Sequence, residues 1–170
     1  MISPYRLRPA LPEDAEAIIA WFPTHDSAVL WGGPEVPEKL TTGWFAGQYA
    51  DPIRRHYALA DAADRPCGYF VLRPVPAQRR LHLGRFAVAP DRRGLGLGAL
   101  MIGQAQALAR EAGAGTLTLY VYEHNARARL LYERCGFIAC TPWPGETVQI
   151  EGALAMACAI PSSATAAGMP

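Results

Sequence analysis

The sequence predicts an α/β (α+β) fold: a mixed, mostly antiparallel central sheet of six to seven strands flanked by about four helices. Three observations carry that expectation. The 170 residues are 51% hydrophobic and only 18% charged, which supplies enough apolar side chain for a sizeable core and excludes a disordered chain. The hydrophobic period alternates along the chain between helical and strand-like. A long helical segment between strand candidates ending near residue 88 and starting near 116 is a crossover, which makes those two strands parallel.

The elements follow in order. Tyr5 to Leu7 is a short strand. Pro12 to Trp21 is a helix, with Pro near its start, acids at Glu13, Asp14 and Glu16, and apolar Ala15, Ile18 and Ile19 at helical spacing. Pro23 stops it, and Thr24 to Pro37 reads as a Gly- and Pro-containing loop around Trp31-Gly32-Gly33-Pro34. Thr41 to Tyr49 is a second short helix. His56 to Ala60 and Cys67 to Leu72 form a hairpin across a polar turn, and Arg80 to Val88 is their next antiparallel neighbour. Leu97 to Ala112 is the longest helix, with Leu97, Leu100, Met101, Ala105, Leu108 and Ala112 on one face and Gly113 as its stop. Thr116 to Val121 is a strand, Asn125 to Cys135 a helix, and Phe137 to Thr141 and Val148 to Ile160 a closing pair of strands. With no repeat and no interior linker, residues 1–160 read as one domain, and 161–170 as a disordered tail of small residues.

Charge and composition narrow the function classes. Sixteen basic and fifteen acidic residues leave a formal charge of +1, so no global field attracts nucleic acid or an anionic membrane. Pro, Gly or a charge interrupts every apolar stretch before it reaches bilayer-spanning length, and Met1 to Arg8 lacks a signal-peptide pattern; a cytoplasmic protein is expected. Four cysteines, at 67, 135, 140 and 158, have neither Cys-x-x-Cys spacing nor a matching histidine cluster. They read as reduced core thiols, with no metal site.

The most informative segment runs from Phe86, Ala87 and Val88 through Pro90-Asp91-Arg92-Arg93-Gly94-Leu95-Gly96-Leu97-Gly98-Ala99. A strand ends, two arginines and alternating glycines follow, and a long helix begins. Glycines let backbone N–H groups approach an anion with no Cβ in the way, and a helix N-terminus adds unpaired donors and partial positive charge. A phosphate or pyrophosphate fits there, with Arg92 or Arg93 adding a charge-assisted bond. The segment is not a Walker-A loop, because no lysine followed by a hydroxyl residue opens the helix. It also departs from the dinucleotide pattern, whose glycines are spaced Gly-x-Gly-x-x-Gly in the first βα turn.

A second constellation is His124-Asn125-Ala126-Arg127-Ala128-Arg129-Leu130-Leu131-Tyr132-Glu133-Arg134-Cys135-Gly136-Phe137. Asn125 and Tyr132 lie about two helical turns apart and share a face. Read alone, Asn125 is equally an N-cap, and Tyr132 a half-buried aromatic with its hydroxyl at the surface.

Together the two segments resemble the GNAT N-acetyltransferase superfamily, in its bacterial RimJ-like or small-molecule amine-acetylating form. Arg93-Gly94-Leu95-Gly96-Leu97-Gly98 is similar to that family's acetyl-CoA motif, Arg/Gln-x-x-Gly-x-Gly/Ala. Asn125 with Ala128, Leu131, Tyr132, Glu133, Gly136 and Phe137 matches its later signature. The resemblance implies the family's fold and acetyl-CoA as cosubstrate. It implies that Arg93, Gly94, Leu95, Gly96, Leu97, Gly98 and Ala99 hold the pyrophosphate, that the backbone of Phe86, Ala87 and Val88 pairs with the pantetheine arm, that Asn125 bonds pantetheine or substrate, and that Tyr132 protonates the departing thiolate. The acceptor would be the primary amine of a small molecule or of a peptide or protein amino terminus.

One departure concerns the base. Relatives that acetylate ribosomal-protein termini have Glu five residues before the Asn, where this chain has Tyr120. Replacement candidates are Glu123 and His124 beside Asn125, His82, and Asp26, Glu35 or Glu38 near Trp31. The Trp31 segment, with Trp44-Phe45 after it, looks like the aromatic lid that some bacterial members place over the acceptor; Trp31 is equally a core residue. Two rival readings stand beside the enzyme: a catalytically silent CoA-binding or sensing module, and a nucleotide-phosphate binder. A monomer and a homodimer paired through the carboxyl-terminal strand are both compatible with the sequence.

Overall fold

The computed structural model describes residues 3–142 and 150–162. Among them are seven strands and five α-helices: β1 Arg6–Pro9, α1 Asp14–Ala20, α2 His25–Gly32, α3 Thr42–Tyr49, β2 Arg55–Ala60, β3 Pro66–Val75, β4 Arg80–Val88, α4 Leu97–Glu111, β5 Thr116–Tyr122, α5 Ala126–Arg134, β6 Ile138–Cys140 and β7 Ala153–Ala159. The strands hydrogen-bond in the order β1-β2-β3-β4-β5-β7-β6. The sheet is mixed and mostly antiparallel, as the sequence predicts: β1/β2, β2/β3, β5/β7 and β6/β7 run antiparallel, and β4/β5 is parallel. The parallel pair, in register from Arg80↔Thr116 to Leu83↔Leu119, is the one that the α4 crossover requires.

The chain divides into two compact units, one drawn from the residues up to Arg73 with Gly84–Met101, the other from Pro74–Leu83 with Ile102 onward. In the first, Ala15 and Ile18 of α1, Phe45 of α3 and Tyr69 and Val71 of β3 form a buried cluster. β3 is buried from Cys67 through Leu72, as befits a strand with a neighbour on each side. Gly68 is required there: a Cβ at this position would run into Met101 Sδ, so its absence lets the first turns of α4 lie close to the strand. At the edge, Arg8 is buried on β1 and its guanidinium grips Asp14 of α1 through two bonds, of 2.7 and 2.9 Å. Asp64 adds a third at 2.9 Å. An arginine tolerates such burial only when its charge is matched in this way, and these carboxylates hold its pKa above the ordinary value, Asp14 most of all.

One predicted loop is a helix. Residues 25–32 form α2 because Thr24 and Ser27 make a reciprocal capping box, Ser27 N–H donating to Thr24 Oγ1 and Thr24 N–H to Ser27 Oγ, both at 3.2 Å. The glycines that read as loop residues fall at the helix's end, where Gly33 has φ +85°.

In the second unit, β5 buries Leu117, Thr118, Leu119 and Val121 between β4 and β7. Gly113, at φ +71°, ends α4: its N–H donates to Arg110 O and that of Ala114 to Ala109 O, each at 3.0 Å, the two bonds of a Schellman stop. The buried stripe of α4 is Leu97, Met101, Ile102, Ala105 and Ala109, while Ala112 is exposed. Of the closing strands, β7 begins at Ala153; Val148 and the residue after it, like residues 163–170 of the expected tail, lie outside the described residues.

Candidate active site

The segment from Phe86 to Ala99 lies in the first unit. At its entry Phe86 stacks on Phe70, with ring centroids 6.4 Å apart, Ala87 is buried, Val88 is half-buried, and Ala89 N–H donates to Cys67 O at 2.8 Å. A short 3-10 turn, Pro90–Arg92, carries the chain out of the strand. Arg92 donates to Asp61 Oδ2 at 3.3 Å and Arg93 to Val88 O at 3.4 Å. Asp61 is itself gripped by the N–H groups of Ala63 and Arg65, both at 3.0 Å, and these bonds, Arg65's first, hold its carboxyl below the ordinary range. Arg92 is thus an anchor of the loop, and exposed Arg93 is the arginine of the pair with no carboxylate partner among the described residues.

Gly94 and Gly96 have φ of +80° and +77°, with open space where a Cβ would stand. The alternation therefore serves backbone conformation and access, not packing. Leu97 is buried and pins the start of α4, exposed Leu95 points away from the core, and the first bond of the helix is Leu100 N–H to Gly96 O at 3.1 Å. The N–H groups of Leu97, Gly98 and Ala99 belong to the first turn, which has no intrahelical acceptors to offer them. Left-handed glycines, open Cβ space and first-turn donors suit a pyrophosphate.

Asn125 and Tyr132 belong to the second unit. Asn125 caps α5, its Oδ1 accepting from Ala128 N–H at 3.3 Å, and it is half-buried. Glu123 and His124 are exposed. Glu123 N–H donates to Gly152 O at 2.8 Å, Glu123 O accepts from Arg129 at 3.1 Å, and the His124 ring lies 5.5 Å from that of Tyr122.

Tyr132 sits at the helix's other end, where Gly136, at φ +91°, donates to Glu133 O at 3.1 Å and Phe137 N–H donates to Tyr132 O at 3.0 Å. This is a second Schellman stop, with the Tyr132 and Phe137 rings, 5.8 Å apart, as its hydrophobic contact. The Tyr-Glu-x-x-Gly-Phe pattern therefore has a structural cause independent of catalysis. Tyr132 is buried, against the half-buried placement that the residue read alone suggests. Burial pushes its phenol pKa up, with Cys135 a smaller cause. Of the other base candidates, His82 is half-buried with Nδ1 3.0 Å from Thr118 Oγ1, and its ring lies 5.2 Å from that of Tyr120. Asp26, Glu35 and Glu38 are exposed, and His25 Nε2 lies 3.7 Å from Glu38 Oε2.

Trp31 is a residue of α2 and not of a loop. It stacks on Phe22 at 4.4 Å between centroids, and neighbours Phe45 at 6.1 Å and Tyr69 at 6.0 Å. Its indole Nε1 donates to Arg85 O at 2.7 Å. Sequence reasoning passed over that arginine, although a lone cation between Gly84 and the apolar run Phe86-Ala87-Val88 was a visible signal. Arg85 stands at φ +50° inside β4, a left-handed residue in a strand, which marks a bulge. Its Nη1 donates to Gln48 Oε1 at 2.7 Å, its guanidinium carbon lies 4.7 Å from the Trp44 ring centroid, and Arg54 donates to the same Gln48 oxygen at 2.5 Å. Burial, then the charge of Arg54, brings the Arg85 pKa down to about 10.

Beside this group His56 is buried, with Nε2 3.1 Å from Gln48 O and Nδ1 2.6 Å from Tyr69 Oη. A carbonyl only accepts, so Nε2 carries the proton and the Tyr69 hydroxyl donates to Nδ1. Burial lowers the His56 pKa to about 4, so the ring is neutral at physiological pH.

Residues 17–137 match the Acetyltransferase (GNAT) family, and the chain belongs to that family. The crystal structure of nourseothricin acetyltransferase is 31% identical, aligning over 94% of this chain and 100% of that one with a TM-score of 0.65. The spermidine N-acetyltransferase of Vibrio cholerae, solved in complex with CoA and spermine, is 19% identical over 92% of this chain and 96% of that one, with a TM-score of 0.72. The ribosomal-protein-S18-alanine N-acetyltransferase of Escherichia coli is 22% identical over 92% and 94%, with a TM-score of 0.67. These last two share the fold. No curated protein sequence matches the chain significantly. Among the described residues no group of three or more His, Cys, Asp or Glu could hold a metal ion, and no helix is long and apolar enough to cross a membrane.

Proposed function

We propose that the protein is an acetyl-CoA-dependent N-acetyltransferase that transfers the acetyl group to a primary amine of a small molecule or peptide terminus by direct attack. The observation that carries the reading is the segment from Arg93 to Ala99, where two left-handed glycines with open space around them lead into the unpaired N–H groups of α4. That cradle would hold the pyrophosphate, with Arg93 adding charge. The backbone of Phe86, Ala87 and Val88 would pair with the pantetheine arm as an added strand, and Asn125 would bond pantetheine or substrate.

The chain's residues then have three tasks. Backbone N–H groups stabilise the negative charge that develops on the acetyl oxygen as the amine nitrogen bonds to the carbonyl carbon. Tyr132 donates its phenolic proton to the sulfur as the C–S bond breaks, and regains one from solvent. The acceptor nitrogen loses one proton before attack and a second as the tetrahedral adduct collapses, each to water or to the exposed Glu123 or His124; with one proton delivered to sulfur, each turnover yields an amide, free CoA thiol and one net proton. A raised phenol pKa keeps Tyr132 protonated throughout the working range.

The rival reading, a catalytically silent CoA-binding module, draws on Tyr120 in the position where some relatives carry Glu. Release of CoA thiol across a panel of amines tests both. Amine-dependent release supports the transferase. Acetyl-CoA binding without release from any amine supports the silent module, and nucleotide binding with no response to CoA refutes both.

A further inference from the structure

The cluster around Arg85 has a charge imbalance that nothing in the acetyl-transfer reading uses. Two guanidinium groups, Arg85 and Arg54, share one neutral acceptor, Gln48 Oε1, whose two lone pairs they exhaust at 2.7 and 2.5 Å. Arg54 has a carboxylate, Asp51 Oδ2 at 3.3 Å. Arg85 has none within ion-pair distance among the described residues; Glu35 and Asp51 act on it only at longer range. Arg85 is half-buried, and an arginine partly withdrawn from water is ordinarily matched by an anion. Arg85 instead has the face of Trp44 on one side and spends a single N–H on an amide oxygen, leaving most of its five donors without a partner among the described residues.

The cluster is also held in place and open. Trp31 fixes the Arg85 carbonyl at 2.7 Å, and His56 fixes the Gln48 carbonyl at 3.1 Å, so both residues that carry the imbalance are tethered through their backbones. Arg85, Trp44, Gln48 and Arg54 all retain partial solvent access. The N–H groups of a guanidinium lie in its own plane, so an anion accepts from those left over along that plane. A planar carboxylate meets that geometry with two parallel bonds.

We infer that Arg85, backed by Arg54 and Gln48, is the seat for a carboxylate of the acceptor, so that the amine acetylated here belongs to an amino acid or a similar amine-bearing acid. The inference rests on the acetyltransferase reading for which end of the site is meant. If pantetheine lies along Phe86 to Val88 and the pyrophosphate beyond it at Gly94 to Ala99, Arg85 precedes the pantetheine stretch at the acyl end, where the acceptor arrives. Val88 is three residues on, about 10 Å along a strand, which separates this arginine from the phosphates. A polyamine is disfavoured on the same grounds, since it would bring further positive charge to a cluster with one cation in excess.

The test compares matched acceptors on the wild-type protein: an α-amino acid, its methyl ester, its phosphonate analogue, and spermidine. The expected result is a kcat/KM for the free acid about 100-fold above that for the ester, the size of effect that loss of a desolvated charge pair produces. Equal rates for acid and ester, or a preference for spermidine, would overturn the inference while leaving the acetyltransferase reading intact. A preference for the phosphonate would replace the planar carboxylate with a tetrahedral oxyanion.

Arg85→Gln should raise KM for the acid about 100-fold and leave acetyl-CoA affinity unchanged. Should that variant fold poorly, Gln48→Glu is nearly isosteric and places a carboxylate of the protein's own between the arginines, so it should abolish the acid-over-ester preference. Calorimetry with the N-acetylated amino acid, the reaction's product, needs no turnover. Binding to wild type that is lost in Gln48→Glu supports the seat even if no amine is acetylated, and equal binding, or none, to both proteins refutes it.

Discussion

Replacing Gly96 by valine separates the cost of the loop's backbone from its use as an anion cradle. Gly96 stands at φ +77°, and a Cβ there meets no atom within 4 Å, so the variant carries no packing clash. Its penalty is the left-handed conformation, roughly 1–2 kcal/mol for an L-residue. In a chain of 170 residues that lowers the midpoint of thermal unfolding by roughly 2–8 °C, measured without ligand. The Cβ and its methyls enter the open space into which the pyrophosphate would settle. In wild type, acetyl-CoA at 100 times its Kd should add about 2.7 kcal/mol, a rise of roughly 5–11 °C. Gly96→Val should show little or none of that rise at the same concentration. The assay is differential scanning fluorimetry with an acetyl-CoA titration, with circular dichroism confirming native secondary structure. A folded Gly96→Val protein that keeps the full ligand-induced shift would refute the assignment of this loop.

Three further outcomes follow from the geometry. Tyr132→Phe preserves the ring contact with Phe137 that closes α5, so acetyl-CoA affinity should change little while kcat per folded molecule falls about 100-fold on an accepted amine; a rate within about twofold of wild type removes Tyr132 from the mechanism. Asp14→Ala leaves the buried Arg8 guanidinium with the exposed Asp64 as its one carboxylate among the described residues, at 2.9 Å, beside the backbone carbonyls of Pro9 and Asp64 at 3.2 and 3.1 Å, and should cost about 3 kcal/mol, the lower end for breaking a buried pair; urea unfolding reads it, and a loss below about 1 kcal/mol refutes the argument. His56, held neutral in the fold with a pKa near 4 against about 6.5 unfolded, binds its proton more readily in the unfolded chain. Its contribution is therefore complete above pH 6.5 and is lost as pH falls from 6.5 to about 4, by at most about 1.4 kcal/mol per unit. Stability measured across that window should slope less steeply in His56→Gln, and an unchanged slope would contradict the assignment.

What the sequence determined by itself is what short-range physics writes into neighbouring residues. The order of strands and helices, the parallel crossover around α4, the N-cap at Asn125, the stops at Gly113 and Gly136, and the glycine-rich entry to α4 all depend on groups a few positions apart. Their periods and φ requirements are visible in one dimension. α2 is equally local, yet its stretch reads as a loop from Gly32, Gly33 and Pro34, while the signal that makes it a helix is the pair of hydroxyls at Thr24 and Ser27.

The tertiary structure alone decided where side chains distant in sequence converge. Arg85 meets the Gln48 oxygen across 37 positions, and Trp31 reaches the Arg85 carbonyl across 54. Arg8 finds Asp64 across 56. No period or spacing encodes such meetings. They follow from the sheet register and the packing of α2 and α3, which set which unpaired charge the fold leaves for a ligand to answer.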